Sequence, residues 1–202
     1  MKKLKKLLAV IMIIALMIPC TAFAATSSPA KTSIKSAKIT VSGTYTYNGK
    51  FQTPKYKVTI EKNGKTVTLK EGTDYKVVSA AHKVAGSHVI SIQGINNYED
   101  KLTVKNAYTI KKKAQSIKVS TKYKAVAAKT FKKKSKSYKI STTGVKEKGK
   151  VTYKTNSKKI TVKNGKITLK KGIKKGTYKV TVTVAATDNY KKTTKTLTIK
   201  VK

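Results

Sequence analysis

The chain is 202 residues long, with 47 Lys+Arg against 7 Asp+Glu and a formal net charge of +40. Every one of those basic residues is lysine; arginine and tryptophan are absent, and there are one cysteine and two histidines. Seven carboxylates and two histidines leave little material for acid–base or metal chemistry, and without arginine there is no planar fork to grip carboxylates, phosphates or guanine edges. Yet 39% of the residues are apolar, too many for a chain that stays disordered by composition.

The first segment, 1–24, reads as a helical secretory signal peptide. Lys2, Lys3, Lys5 and Lys6 form a charged start, and Leu7 to Ile18 is an apolar run of 12, short for a bilayer span. Pro19 breaks the run, and Ala22-Phe23-Ala24 places small residues for cleavage before Ala25. Cys20 follows Pro19, which does not suit a lipid-attachment signal. The mature chain is then free of cysteine, and no transmembrane anchor is expected in it. The reading places the protein outside the cytoplasm, secreted or associated with a bacterial cell envelope. A polar stretch, 25–36, is expected to act as a linker.

From there the period-two alternation of half-buried strands dominates. Tyr56, Val58 and Ile60 alternate with Lys57 and Thr59; Leu102, Val104, Tyr108 and Ile110 share one parity. Tyr178, Val180, Val182, Val184 and Ala186 oppose Thr177, Lys179, Thr181 and Thr183, and Leu197, Ile199 and Val201 alternate with Thr196, Thr198 and Lys200. Asn63-Gly64 and Asn164-Gly165 each separate two short runs, which predicts tight hairpins with positive φ at both central residues. The expected fold is all-β: two tandem antiparallel sandwiches over 37–113 and 114–202, divided near Lys111-Lys112-Lys113-Ala114-Gln115. Their ends look alike. Gly86 precedes Tyr98 by 12 residues and Gly176 precedes Tyr190 by 14, each with an alternating run between, which reads as a diverged repeat.

Particular residues carry a family resemblance. Tyr45-Thr46-Tyr47-Asn48-Gly49-Lys50, Pro54, Leu69, Gly72-Thr73-Asp74-Tyr75, Ala85-Gly86 and Gly94-Ile95-Asn96-Asn97-Tyr98 make the first half similar to the short immunoglobulin-like repeats of bacterial surface and secreted proteins. The second half resembles a related lysine-rich repeat through Gly149-Lys150-Val151-Thr152-Tyr153, Asn164-Gly165-Lys166-Ile167-Thr168, Lys175-Gly176-Thr177-Tyr178 and Asp188-Asn189-Tyr190. The resemblance implies Ig-like sandwiches that serve as spacers, stalks or binding modules. The landmarks also have physical readings. Glycines such as Gly72, Gly86 and Gly176 suit strand ends, Asp74 suits a turn, and Tyr75, Tyr98 and Tyr190 can lay a ring on the core.

Charge is uneven along the chain. Residues 25–113 hold 16 Lys and five acidic residues; residues 114–202 hold 27 Lys and two. The dense spots are Lys132-Lys133-Lys134, Lys158-Lys159, Lys170-Lys171, Lys174-Lys175 and Lys191-Lys192, placed at turns and strand ends, so both ends of the second sandwich are expected to be cationic. Three origins stand side by side: compositional drift toward lysine, attraction to anionic wall polymers or acidic polysaccharides, and non-specific contact with nucleic acid phosphates. Lysines on edge strands also oppose aggregation.

Candidate chemistry is thin. His82 and His88 lack neighbours at metal-ligand spacing; no nucleophile elbow, phosphate loop or zinc helix is present. No enzyme activity, no cofactor and no metal are expected. A lysine–asparagine crosslink stays open, with Glu147 and Asp188 as the acids available in the second half. The expectation is a structural or adhesive module of the envelope or extracellular space. The alternatives are a cationic membrane-active or defence factor and, last, a wall hydrolase. Ligand, attachment and oligomeric state are not legible.

Overall fold

Alternating apolar and polar side chains build the strands. In the computed structural model, which describes residues 29–202, the first half forms β1 (Thr32–Ser33), β2 (Lys38–Ser42), β3 (Tyr45–Thr46), β4 (Lys55–Lys62), β5 (Lys65–Leu69), β6 (Tyr75–Ser79), β7 (Gly86–Gly94), β8 (Tyr98–Glu99) and β9 (Lys101–Lys111). The second half forms β10 (Lys118–Thr121), β11 (Ala125–Val126), β12 (Lys136–Thr143), β13 (Val151–Thr155), β14 (Ile160–Lys163), β15 (Lys166–Leu169), β16 (Gly176–Val184) and β17 (Thr193–Val201). Two short 3-10 turns, Ile34–Ser36 and Ala128–Phe131, interrupt the pattern. The expected signal peptide and Cys20 lie outside the described residues.

Each half encloses one core between two sheets. In the first, β2-β4-β5 faces β3-β9-β7-β6, and Val58, Ile60, Leu69, Ile90, Ile92 and Ile110 fill the space between. In the second, β10-β12-β15-β14 faces β11-β17-β16-β13 around Phe131, Ile140, Ile167, Leu169, Val180, Val182 and Ile199. Burying each such side chain contributes about 1.5–3 kcal/mol. Both Asn-Gly hairpins adopt the expected turn: φ is positive at Asn63 (52°) and Gly64 (69°), and at Asn164 (48°) and Gly165 (70°).

The second sandwich has the strand arrangement of an immunoglobulin constant-type domain. Taking β10, β12, β13, β14, β15, β16 and β17 as strands A to G, one sheet runs A-B-E-D and the other places C beside F and G. The first sandwich departs from it. There β5 follows β4 directly through the Asn63-Gly64 hairpin, and β6 comes afterwards to take the edge beside β7. Its smaller sheet has three strands, with no counterpart of β14. The likeness of the two halves therefore holds in the closing hairpins, β7–β9 and β16–β17, which open on Gly86 (φ 143°) and Gly176 (φ 154°). It does not extend to the strands before them.

The lead-in contributes to the first sandwich. Thr32 and Ser33 pair in parallel with Tyr98 and Glu99, Ile34 is fully buried, and Lys35 forms an ion pair of 3.2 Å with Asp100. A single isoleucine among polar residues has no periodicity to betray it, which is why 25–36 read as linker throughout.

Lys31–Lys202 form one compact unit, and the contact between the sandwiches is specific. Lys113 pairs with Tyr190: its N–H donates to the Asn189 carbonyl, and the Lys191 N–H donates to the Lys113 carbonyl, both at 2.8 Å. Gln115 Nε2 donates to the Lys191 carbonyl at 2.9 Å, and Gln115 Oε1 accepts from the Lys146 N–H at 3.2 Å. Tyr47 and Tyr190 meet edge to face at 5.5 Å. The lysine run between the halves is thus pinned by hydrogen bonds.

Candidate functional site

The landmark residues divide into core and joint. Tyr75 and Tyr98 lie in the first core, as their rings suggest. Asp74 Oδ2 accepts from the Lys70 N–H at 2.7 Å and closes the turn that carries Gly72 (φ 80°). Gly49 (φ 81°) turns the chain after Asn48, whose Oδ1 accepts from the Lys50 N–H at 2.8 Å. Tyr47, packed against the first core, and Tyr190 of the second sandwich touch each other, a pairing that sequence spacing gives no means to find.

The two histidines, 82 and 88, stack on each other with ring centroids 4.4 Å apart and planes 14° apart. Tyr108 lies against both rings, and its hydroxyl donates to the Ala80 carbonyl at 2.8 Å and lies 3.1 Å from His82 Nδ1. His88 Nε2 bonds the Val84 carbonyl at 2.7 Å. The pair braces the 80–85 loop. Among the described residues, no group of three or more His, Cys, Asp or Glu stands close enough to hold a metal ion.

Glu147 and Asn189 come together at the joint. Glu147 has φ 49°, and the next residue, Lys148, has φ 53°; this left-handed turn, rare for side-chain-bearing residues, aims the carboxylate at Asn189. Glu147 Oε1 accepts from Asn189 Nδ2 at 2.7 Å and Oε2 from the Asn189 N–H at 3.2 Å. Hydrogen bonds from the Thr187 and Asn189 side chains, then the Asn189 N–H and the Lys112 charge, hold the carboxyl below its ordinary value.

The lysine clusters are gathered chiefly at the opposite end of the second sandwich. Backbone bonds lace three loops together there: Gly172 N–H to the Phe131 carbonyl (3.0 Å), Lys171 N–H to Ser135 Oγ (2.9 Å) and Lys170 N–H to the Lys159 carbonyl (2.9 Å). Lys132, Lys133, Lys134, Lys158, Lys159, Lys170, Lys171, Lys174 and Lys175 are all exposed on these loops. Lys191 and Lys192 are exposed at the joint instead. Both carboxylates of the second half, Glu147 and Asp188, also lie at the joint, so the far end has lysines and no acid. Exposed lysines lie at both ends, as Lys146, Lys148, Lys191 and Lys192 at the joint show; the difference between the ends is where the two acids fall. Sequence counts the two acids but does not reveal that the loops carrying them fold to one end. Among the described residues the one ion pair is Lys35–Asp100, in the first sandwich.

Hollows open on the surface of both sandwiches, and two of them bear on function. One of about 650 Å³ lies in the first sandwich between the start of β4 and β6, lined by Thr53, Pro54, Tyr56, Tyr75 and Val77, with Glu71 on its wall. Burial, with Tyr75 and Glu71 nearby, pushes the Tyr56 hydroxyl up to about 12, so it stays neutral. The other, about 540 Å³, lies at the lysine-rich end and is lined by Thr155, Asn156, Ser157, Lys158, Ile160, Thr161 and Lys170.

No family model matches the sequence, and no curated protein matches it. A crystal structure of murine CEACAM1b is similar at 13% identity over 86% of this chain and 96% of that one, with a TM-score of 0.29, a superposition that carries no argument. The Ig-like description rests on strand order and on the cores between paired sheets. No described helix is long and apolar enough to cross a membrane.

Proposed function

We infer that this is an exported, non-enzymatic protein related to the Ig-like repeats of bacterial surface and secreted proteins. It serves as a structural or adhesive module of the cell envelope or extracellular space, held by salt-sensitive attraction to anionic wall polymers or acidic polysaccharides. One observation supports the reading above the rest: the exposed lysines of the second sandwich collect where no carboxylate neutralises them. Ammonium groups left unpaired keep their field, which reaches about 8 Å at physiological salt. A polyanion entering that field releases its counterions, so binding is fast and weakens as salt rises. The export signal read in 1–24 and the scarcity of catalytic residue types support the rest.

The test is binding of the mature protein to washed cell walls across a salt series. Retention at low salt and release at moderate salt is the expected result. Failure to bind at low salt removes the polyanion mechanism, lysis of the walls removes the non-enzymatic reading, and leakage from anionic vesicles points to a membrane-active factor.

A further inference from the structure

The hollow at the lysine-rich end is more than a patch of charge. Several of its acceptors already receive a hydrogen bond from the protein. Asn156 Oδ1 accepts from the Lys179 N–H at 2.9 Å, Ser157 Oγ accepts from the Lys159 N–H at 3.1 Å, and the carbonyls of Ser157 and Ile160 accept from Thr155 Oγ1, each at 3.2 Å. Asn156 Nδ2 has no protein partner among the described residues, and the Ser157 hydroxyl keeps its proton to give. With the ammonium groups of Lys158 and Lys170, the hollow offers donors and cations around one space. These donors and cations suit a group that brings oxygen acceptors and negative charge.

We propose that this hollow is an anion subsite for the phosphate of a linear phosphodiester polymer, so that the protein meets its polymer end-on at this sandwich tip. The inference rests on the polyanion reading above and narrows it. Lysine binds phosphate as a point charge without needing the arginine fork this chain lacks, and a phosphodiester offers one full charge and two free oxygens to the donors around the hollow. A soluble polymer is favoured over a lipid surface because the lining carries no exposed apolar side chain to enter a bilayer; Ile160 is buried in the core.

The test uses the mature protein and three probes at low salt: poly(glycerol phosphate), the carboxylate polymer hyaluronate, and vesicles containing phosphatidylglycerol. Two double variants remove equal charge, K158Q/K170Q in the hollow and K191Q/K192Q at the joint. All four side chains are exposed, and thermal unfolding checks that both variants stay folded. For poly(glycerol phosphate), the hollow variant should lose about tenfold in affinity or more, the usual worth of a charged hydrogen bond, and the joint variant less than about twofold. The other two probes should bind the unaltered protein more weakly. Equal losses in the two variants overturn the subsite and leave the polyanion reading standing, as the mark of a diffuse coat. Equal or stronger binding of hyaluronate or the vesicles also overturns it. Absence of binding to all three removes both readings.

Discussion

Asn189 Oδ1 accepts a hydrogen bond of 2.8 Å from the backbone N–H of Ala85, a residue of the other sandwich. The same side chain donates to Glu147, so one amide ties the 80–85 loop, which the stacked histidines brace, to the left-handed turn at Glu147. Replacing Asn189 by Ala leaves the Ala85 N–H and the carboxylate without this partner. The expected cost is about 1–3 kcal/mol in denaturant unfolding. Faster hydrogen exchange at Ala85 should accompany it, with the Ile92 amide in the first core unchanged.

Acid should loosen the same joint. Glu147 is held below its ordinary value of 4.5 in the folded chain, so the unfolded chain takes up the proton more readily. The stabilisation is present above that ordinary value and is lost as the pH falls through the folded one. Asp100, lowered by hydrogen bonds from Ser33 and then Lys35, adds a contribution of the same sign in the lead-in. Unfolding midpoints measured from pH 6 down to pH 3 should fall, and Glu147→Gln should flatten part of that fall. An unchanged profile in the variant would mean that the carboxylate contributes nothing to the joint.

Ile34→Ala tests whether the lead-in is structural. The side chain is fully buried, and deleting it should cost about 2–5 kcal/mol, as for other large-to-small core changes. A loss below about 0.5 kcal/mol, typical of surface changes, would return Ile34 to the linker.

Gly94 and Gly72 separate two reasons for glycine. A Cβ on Gly94 would lie 2.7 Å from the backbone N and O of Glu99, atoms that cannot swing away. A Cβ on Gly72 meets nothing within 4 Å, although its φ of 80° strains any side chain. Gly94→Ala should therefore cost about 1–3 kcal/mol by overpacking, and Gly72→Ala nearer 1 kcal/mol by backbone strain. Thermal unfolding of the two variants gives the order.

Much of the β-structure was legible because alternation and turn chemistry are local. Val180, Val182 and Val184 announce a strand in any context, and Asn164-Gly165 announces its hairpin. Strand order is not local. The motif Gly-Thr-Asp-Tyr at 72–75 opens β6 whether that strand precedes or follows its neighbours in the sheet, so the departure of the first sandwich from constant-type order left no trace in the alternation. The lysine clusters were visible as residues, but their meeting depends on the bonds from Gly172 to Phe131 and from Lys170 to Lys159. The Tyr47–Tyr190 contact and the stacked histidines depend on long-range closure, and no spacing rule reaches them.

Both carboxylates of the second sandwich lie at the joint, so the lysines there are partly offset while those at the far tip are not. A uniformly coated particle would approach a polyanion in any pose. Under the proposed attraction to a polyanion, the acid-free tip of this one would lead, with Glu147, Asp188 and the first sandwich behind it. Adhesion of the proposed kind would then have a polarity, with the first sandwich facing outward once the second had docked.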